Sequence, residues 1–271
     1  MNTTTLLAQS SDIPGIFSVP HIIFLAVLLP ATIALAIFVS KKFGWHKRVL
    51  YIACALAIIS ELTKVLYLVD EFPNGFYLRP EHLPFNLCSI QIIFIFFITF
   101  SNNDKIKNPL MAFMYPTMLG GGLMALLIPT SSVDHGWFTP ISFQFWIFHA
   151  MLIFLALYMI ITKPIKFSIK SYFTALVMIA GAFIFAIYIN SILGYSTTDV
   201  NFFFVARPPM ENLPILNLDH GWFAYVGHLA WLAILLISLC YIPTFVTTIR
   251  DRRKKKREVP AISDTENTEV V

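Results

Sequence analysis

Seven separate stretches of roughly 18 to 26 mostly apolar residues divide this chain, each long enough to cross a bilayer hydrocarbon layer of about 30 Å. They cover 20–40, 49–69, 83–100, 109–129, 140–162, 171–192 and 221–246 of the 271 residues. No remaining segment is long enough to build a second core, so a soluble enzyme on a membrane anchor is excluded. The apolar residues run continuously rather than alternating, which excludes a transmembrane barrel. Only 13% of residues are charged, about half the share of a soluble domain. The expected fold is all-α: a polytopic membrane bundle of seven transmembrane helices.

The basic residues orient that bundle. Sixteen of the 19 Lys and Arg residues fall in the 41–48, 101–108 and 163–170 loops and after the last span. Arg79 and Arg207 lie on the other side, and Lys64 lies within a span. The positive-inside bias places the N-terminus outside and the C-terminus in the cytoplasm of a cell membrane. Segment 1–19 holds no Lys or Arg, which argues against a cleaved signal peptide. Pro20, Pro109 and Pro140 stand at or beside span starts, where a missing N–H costs nothing.

The charge of +4 sits in loops and tail, so no nucleic-acid face is expected. Segment 247–271 is basic, then polar and acidic, and is expected to stay unfolded. Its basic run anchors the last span and offers a patch for anionic lipid. The odd count of three cysteines argues against a disulfide framework.

Two further features stand outside the spans. The 193–220 loop is long enough to cover a site. Asp-His-Gly-Trp-Phe occurs at 134–138 and again at 219–223, each copy reading as an Asp helix cap followed by an interfacial Trp. No cofactor or metal ligand set is expected; His135 and His220 with their aspartates lack a diagnostic spacing.

Depth is the informative pattern inside the spans. His21, Glu61, Lys64, Asn86, Gln91, Gln144, His149, Asn190 and His228 all fall in the outer half of the bilayer or at its midpoint. By helical rise, Glu61 and His149 lie about 12 to 14 Å deep, His228 about 10 Å and Cys88 about 8 Å. Buried ionisable groups are costly unless they share a bundle interior or a wet cavity. The pattern predicts a polar cavity opening outward and lined by Glu61, Lys64, His149 and His228. Glu61 and Lys64, three apart on one helix face, can also simply neutralise each other.

Cys54 and Cys240 read as small hydrophobes. Cys88 follows Pro84 near a helix start, flanked by Asn86, Ser89 and Gln91, a setting that suits a nucleophile with an imidazole base. Gly120, Gly121 and Gly122 with Pro116 predict a kinked fourth span packed closely on its neighbours.

HLPFNLCSI, NPLMAFMYPTMLGGGLMALLIP, FQFWIFHAML and VNFFFVARPP, in this order over about 20–245, resemble the YwaF-like bacterial membrane proteins. More distantly the set resembles eukaryotic transmembrane protein 164, a phospholipid acyltransferase using a Cys and a His. The resemblance implies His149 as the helix-five histidine and places the helix-three position near Cys88. Asn86 stands where the bacterial relatives carry a His, and Phe85 where the eukaryotic protein carries its Cys, an offset of three positions.

Two functions follow from different classes. In a lipid acyltransferase, Cys88 attacks an ester carbonyl, His149 moves the proton, and Asn86, Gln91 or Gln144 donates to the oxyanion. Membrane lipids are the partners, with Glu61, Lys64 and His228 completing the substrate site. In a transporter or small-molecule-binding protein, the same Glu61, Lys64 and histidines bind or couple protons with no covalent step. A structural factor with a satisfied polar core is the third reading.

Overall fold

The computed structural model describes residues 17–72, 75–129, 136–194, 199–209, 213 and 215–266. Seven α-helices make the bundle: α1 (Val19–Phe43), α2 (Lys47–Leu68), α3 (Leu87–Phe100), α4 (Asp104–Leu127), α5 (Pro140–Thr162), α6 (Ile169–Leu193) and α7 (Trp222–Glu266). A hairpin of β1 (Asp70–Phe72) and β2 (Gly75–Tyr77) follows α2. The chain alternates between two ends. The 44–46, 101–103 and 163–168 loops form a lysine-rich end; the described parts of 69–86, 128–139 and 194–221 form the opposite, long-loop end.

Six helices are long and apolar enough to cross a membrane, and α3 is shorter at 14 residues. At 1.5 Å per residue α3 spans about 21 Å; of the stretch expected to span at 83–100, only Leu87–Phe100 is α-helical. Pro84 is the reason: a proline disfavours helical geometry in the residue before it and lacks the N–H that the helix needs. Leu83–Asn86 therefore runs as irregular backbone down to the α3 start. Such backbone is tolerated at membrane depth only where protein or a cavity surrounds it.

The apolar windows of α4 and α5 are 61% and 56% buried, against 11–22% for the other long helices. These two are the axis of the bundle. α5 carries α1 and α2 on its flank, α3 wedges between α2 and α4, and α6 and α7 pack on α4. The outer helices turn large apolar residues outward, among them Val27, Leu66, Val177 and Ile184, a surface suited only to lipid.

Lipid offers helices no hydrophobic reason to associate, so close packing and polar bonds hold the bundle. Tyr115 donates to the Cys240 carbonyl (2.7 Å), while Tyr241 donates back to that of Ala112 (3.0 Å). Gly120 and Gly122 supply the close packing. A methyl on Gly120 would stand 2.2 Å from Leu236 Cδ2, and one on Gly122 would stand 2.8 Å from Ile153 Cγ1.

Three sequence expectations change here. α4 starts at Asp104, five residues before Pro109, because the Asn103 side chain caps it by accepting from Lys105 N (2.9 Å). Pro109 is thus inside the helix, and α4 runs on through Pro116 and the glycines. α7 continues to Glu266, over 247–266 of the segment expected to stay unfolded; its Lys, Arg and Glu are good helix formers.

The two Asp-His-Gly-Trp-Phe copies also turn out differently from plain interfacial anchors. Gly136 and Gly221 take positive φ of 79° and 84°, which glycine adopts without penalty. In each copy the Trp finds a partner in the fold while the Phe points outward. Trp137 packs on His21 and Trp146, and Trp222 donates to the Val205 carbonyl (2.8 Å). Phe138 and Phe223 are 88% and 86% exposed. The expected cap Asp134 and His135 lie outside the described residues.

Candidate functional site

The glycine run of α4 is where the two chemically distinctive helices converge. A methyl on Gly121 would stand 3.5 Å from Cys88 Sγ of α3, and one on Gly122 would stand 3.2 Å from the His149 carbonyl oxygen of α5. Successive helical residues point about 100° apart, so Cys88 and His149 flank α4 on adjacent faces at one level. Any side chain larger than hydrogen at 122 would push α5 away. No hydrogen bond joins Cys88 to His149 among the described residues.

His149 is 8% exposed and sits against the Phe145 and Phe148 rings. Its Nδ1 lies 2.8 Å from the Phe145 carbonyl oxygen. A carbonyl only accepts, so Nδ1 carries the proton and a neutral ring keeps the lone pair on Nε2. That tautomer is the one a general base needs.

On α3, Gln91 lies one turn from Cys88 and is fully buried. Its Nε2 donates to Thr117 Oγ1 (3.1 Å) and to the Leu87 carbonyl (3.3 Å). Thr117 passes its own proton to the Phe113 carbonyl (2.7 Å), which fixes the amide orientation. Both N–H bonds of Gln91 are thus committed, and the expectation that it donates to an oxyanion does not fit this arrangement. Its Oε1 is buried with no partner. Thr117, one turn before Gly121, completes this polar cluster, and sequence reasoning missed it because a lone threonine in an apolar helix usually bonds its own backbone.

Asn86 and Asn190 hold the long loop. Asn190 Nδ2 donates to the Phe202 carbonyl (2.9 Å), and its Oδ1 accepts from Phe202 N (2.8 Å). Asn86 Oδ1 accepts from Phe203 N (3.2 Å), and the Tyr225 hydroxyl donates to the Phe204 carbonyl. Phe203 and Phe204 take positive φ of 57° and 56°. Non-glycine residues hold that costly geometry only where surroundings over-determine it, often at functional sites. The turn plugs the long-loop end directly over the α3 start, with Val200, Phe202 and Val205 buried.

Among the described residues, no hydrogen bond or ion pair links the remaining predicted residues to His149. Glu61 and Lys64 form an ion pair at 2.6 Å, and Gln144 Nε2 donates to the neighbouring Ser60 Oγ (2.6 Å), tying α5 to α2. His228 is exposed on α7, which packs on α4 and α6 while α2 packs on α3 and α5. A cavity of about 280 Å³ does open at the long-loop end, between Glu81, Asn86, Asp199, Asn201, Phe204 and Arg207. Of the predicted set, it shares only Asn86. Depth along a helix is legible from sequence, but the face on which a residue emerges depends on how neighbours rotate.

Among the described residues, no group of three His, Cys, Asp or Glu side chains could hold a metal ion. No curated protein and no solved structure matches this chain. The six long apolar helices make it a multi-pass membrane protein. The TMEM164 family model matches residues 16–247, from the start of α1 to the membrane part of α7 and so across every element just described, and the chain belongs to the TMEM164 family.

Proposed function

We propose that this chain is a lipid acyltransferase of the cell membrane, YwaF-like in type, with Cys88 as nucleophile and His149 as base. The observation that carries the reading is the convergence at Gly121 and Gly122, where the Cys88 thiol and the His149 backbone meet adjacent faces of one helix, together with the His149 tautomer that leaves its lone pair on Nε2. His149 Nε2 takes the thiol proton as Cys88 Sγ attacks an acyl-ester carbonyl. The ester C–O bond breaks, His149 returns the proton to the leaving lysolipid oxygen, and an acyl-thioester remains. An acceptor lipid hydroxyl gives its proton to His149, takes the acyl group and restores the thiol. Asn86 uses its carbonyl oxygen for Phe203, so its N–H₂ group remains for the oxyanion.

The orientation that fits the lysine distribution puts the long-loop end outside and the α7 tail in the cytoplasm, its basic run against anionic lipid. The non-covalent transporter reading is weaker, because Glu61 and Lys64 already neutralise each other and His228 faces outward. The test is trapping: protein incubated with an alkyne-tagged phospholipid should carry a hydroxylamine-labile label at Cys88. Cys88→Ala should abolish the label, and a label that survives this change overturns the thioester.

A further inference from the structure

At the opposite, lysine-rich end lies a cavity of about 290 Å³ that no step of the acyl-transfer reading uses. Lys47, Lys107 and Lys166 line its rim with Asp104, while Leu50, Ile98 and Met111 make part of its floor. Asp104 pairs with Lys107 at 2.9 Å. Among the described residues, Lys47 Nζ reaches only the neutral Asn102 Oδ1 (3.3 Å), so the rim keeps a surplus of two positive charges.

Two helices begin at this cavity, α2 at Lys47 and α4 at Asp104. Their N-terminal dipole ends add to the positive potential. The walls are built rather than incidental. Tyr158 of α5 accepts from His46 N (2.8 Å) and donates to the Gly44 carbonyl, and Trp45 stacks on its ring at 5.2 Å. The loop carrying Trp45 is thereby pinned beside Lys47. Ser171 donates to the Lys166 carbonyl (3.4 Å), tying that loop to α6.

A cationic rim over an apolar floor, at the end of a membrane bundle, matches a phosphate joined to a glycerol and acyl chain. We infer that this cavity binds the phosphate of an anionic lipid headgroup in the leaflet at the lysine-rich end, separate from the Cys88 and His149 site. A doubly charged phosphate monoester balances the surplus of two, and the floor of Leu50, Ile98 and Met111, each no more than 3% exposed, receives the glycerol carbons. Inorganic phosphate shares the charge chemistry but leaves that floor unused.

The experiment titrates the full chain in a non-ionic detergent with dihexanoyl phosphatidic acid, dihexanoyl phosphatidylcholine or inorganic phosphate. Thermal midpoint and tryptophan emission are followed, with Trp45→Phe assigning the optical signal. Phosphatidic acid should raise the midpoint at a concentration about tenfold below phosphatidylcholine, since the rim selects net charge. Lys47→Gln with Lys166→Gln should weaken that response about tenfold, and Asp104→Asn, which frees Lys107, should strengthen it about threefold. Inorganic phosphate acting as well as phosphatidic acid would keep an anion site and overturn its lipid source. An unchanged response in the double variant overturns the site. Should that variant fail to fold, the absence of tightening in Asp104→Asn overturns it equally.

Discussion

Two buried histidines face different fates in this bundle. His21 of α1 is fully buried, and both ring nitrogens are used: Nδ1 accepts from Phe17 N (3.0 Å), and Nε2 donates to the Leu126 carbonyl (2.9 Å). Phe17, Trp137 and Trp146 enclose it with aromatic rings. His149 of α5 is nearly as buried, yet spends only Nδ1 and keeps a lone pair. Burial and residue type are the same in both places. The number of nitrogens left over separates a structural histidine from one that can move a proton.

The sharpest way to break this comparison is to replace each histidine in turn. His149→Gln can still donate to the Phe145 carbonyl but has no proton to shuttle. Acyl transfer should fall by about 10²- to 10⁴-fold, the usual contribution of a general base, with the thermal midpoint unchanged. Full activity in a folded His149→Gln would make His149 another His21. For His21→Ala the opposite is expected. It loses a bond to α4 and a cap on Phe17, and should destabilise the bundle by about 1–3 kcal/mol while activity per folded molecule stays constant.

The glycine run sharpens the same contrast within one helix turn. Gly122→Ala drives a methyl against the Ile153 side chain and the His149 carbonyl, a form of overpacking that costs about 1–3 kcal/mol. It should lower both stability and activity, since it displaces α5 at His149. Gly121→Ala meets only Cys88 Sγ at ordinary contact distance and should leave the melting temperature in place. Equal effects at the two positions would show that the approach of α5 is not what matters.

A smaller effect is expected at the plug. Asn190→Ala removes two hydrogen bonds to the Phe202 backbone. Interhelical side-chain bonds in membrane proteins average about 0.6 kcal/mol, so the loss should be about 1 kcal/mol. Limited proteolysis near 202–205 should quicken, and hydrolysis of the labelled Cys88 adduct with it, as water reaches the α3 start. A protected loop in this variant would mean that Asn86, Tyr225 and Trp222 hold the plug without it.

Much of the architecture was legible in the residues. The span from 140 to 162 coincides with α5 at both ends, because Pro140 favours the first turn and Thr139 caps it by accepting from Ser142 N (3.4 Å). Both signals are local. The pairing of Glu61 with Lys64 was equally readable, since residues three apart share a helix face whatever surrounds them. The start of α4 was misplaced because Pro109 imitates a first-turn proline, whereas the Asn103 cap six residues earlier looks like ordinary loop chemistry.

What the linear chain determined by itself is the solvent it lives in and the helical form of its apolar stretches. Backbone polar groups in a bilayer must be satisfied within each segment, so length and apolar content settle that much residue by residue. Tertiary structure alone decided which polar side chains spend their bonds. His21 and His149 are the same residue type in the same outer half of the bilayer, and Asn190 and Gln91 are both amides there. Whether a donor finds a carbonyl on a neighbouring helix depends on the rotation of that helix and its distance from the first. Gly120 and Gly122 set both by letting α7 and α5 come within side-chain contact of the α4 backbone.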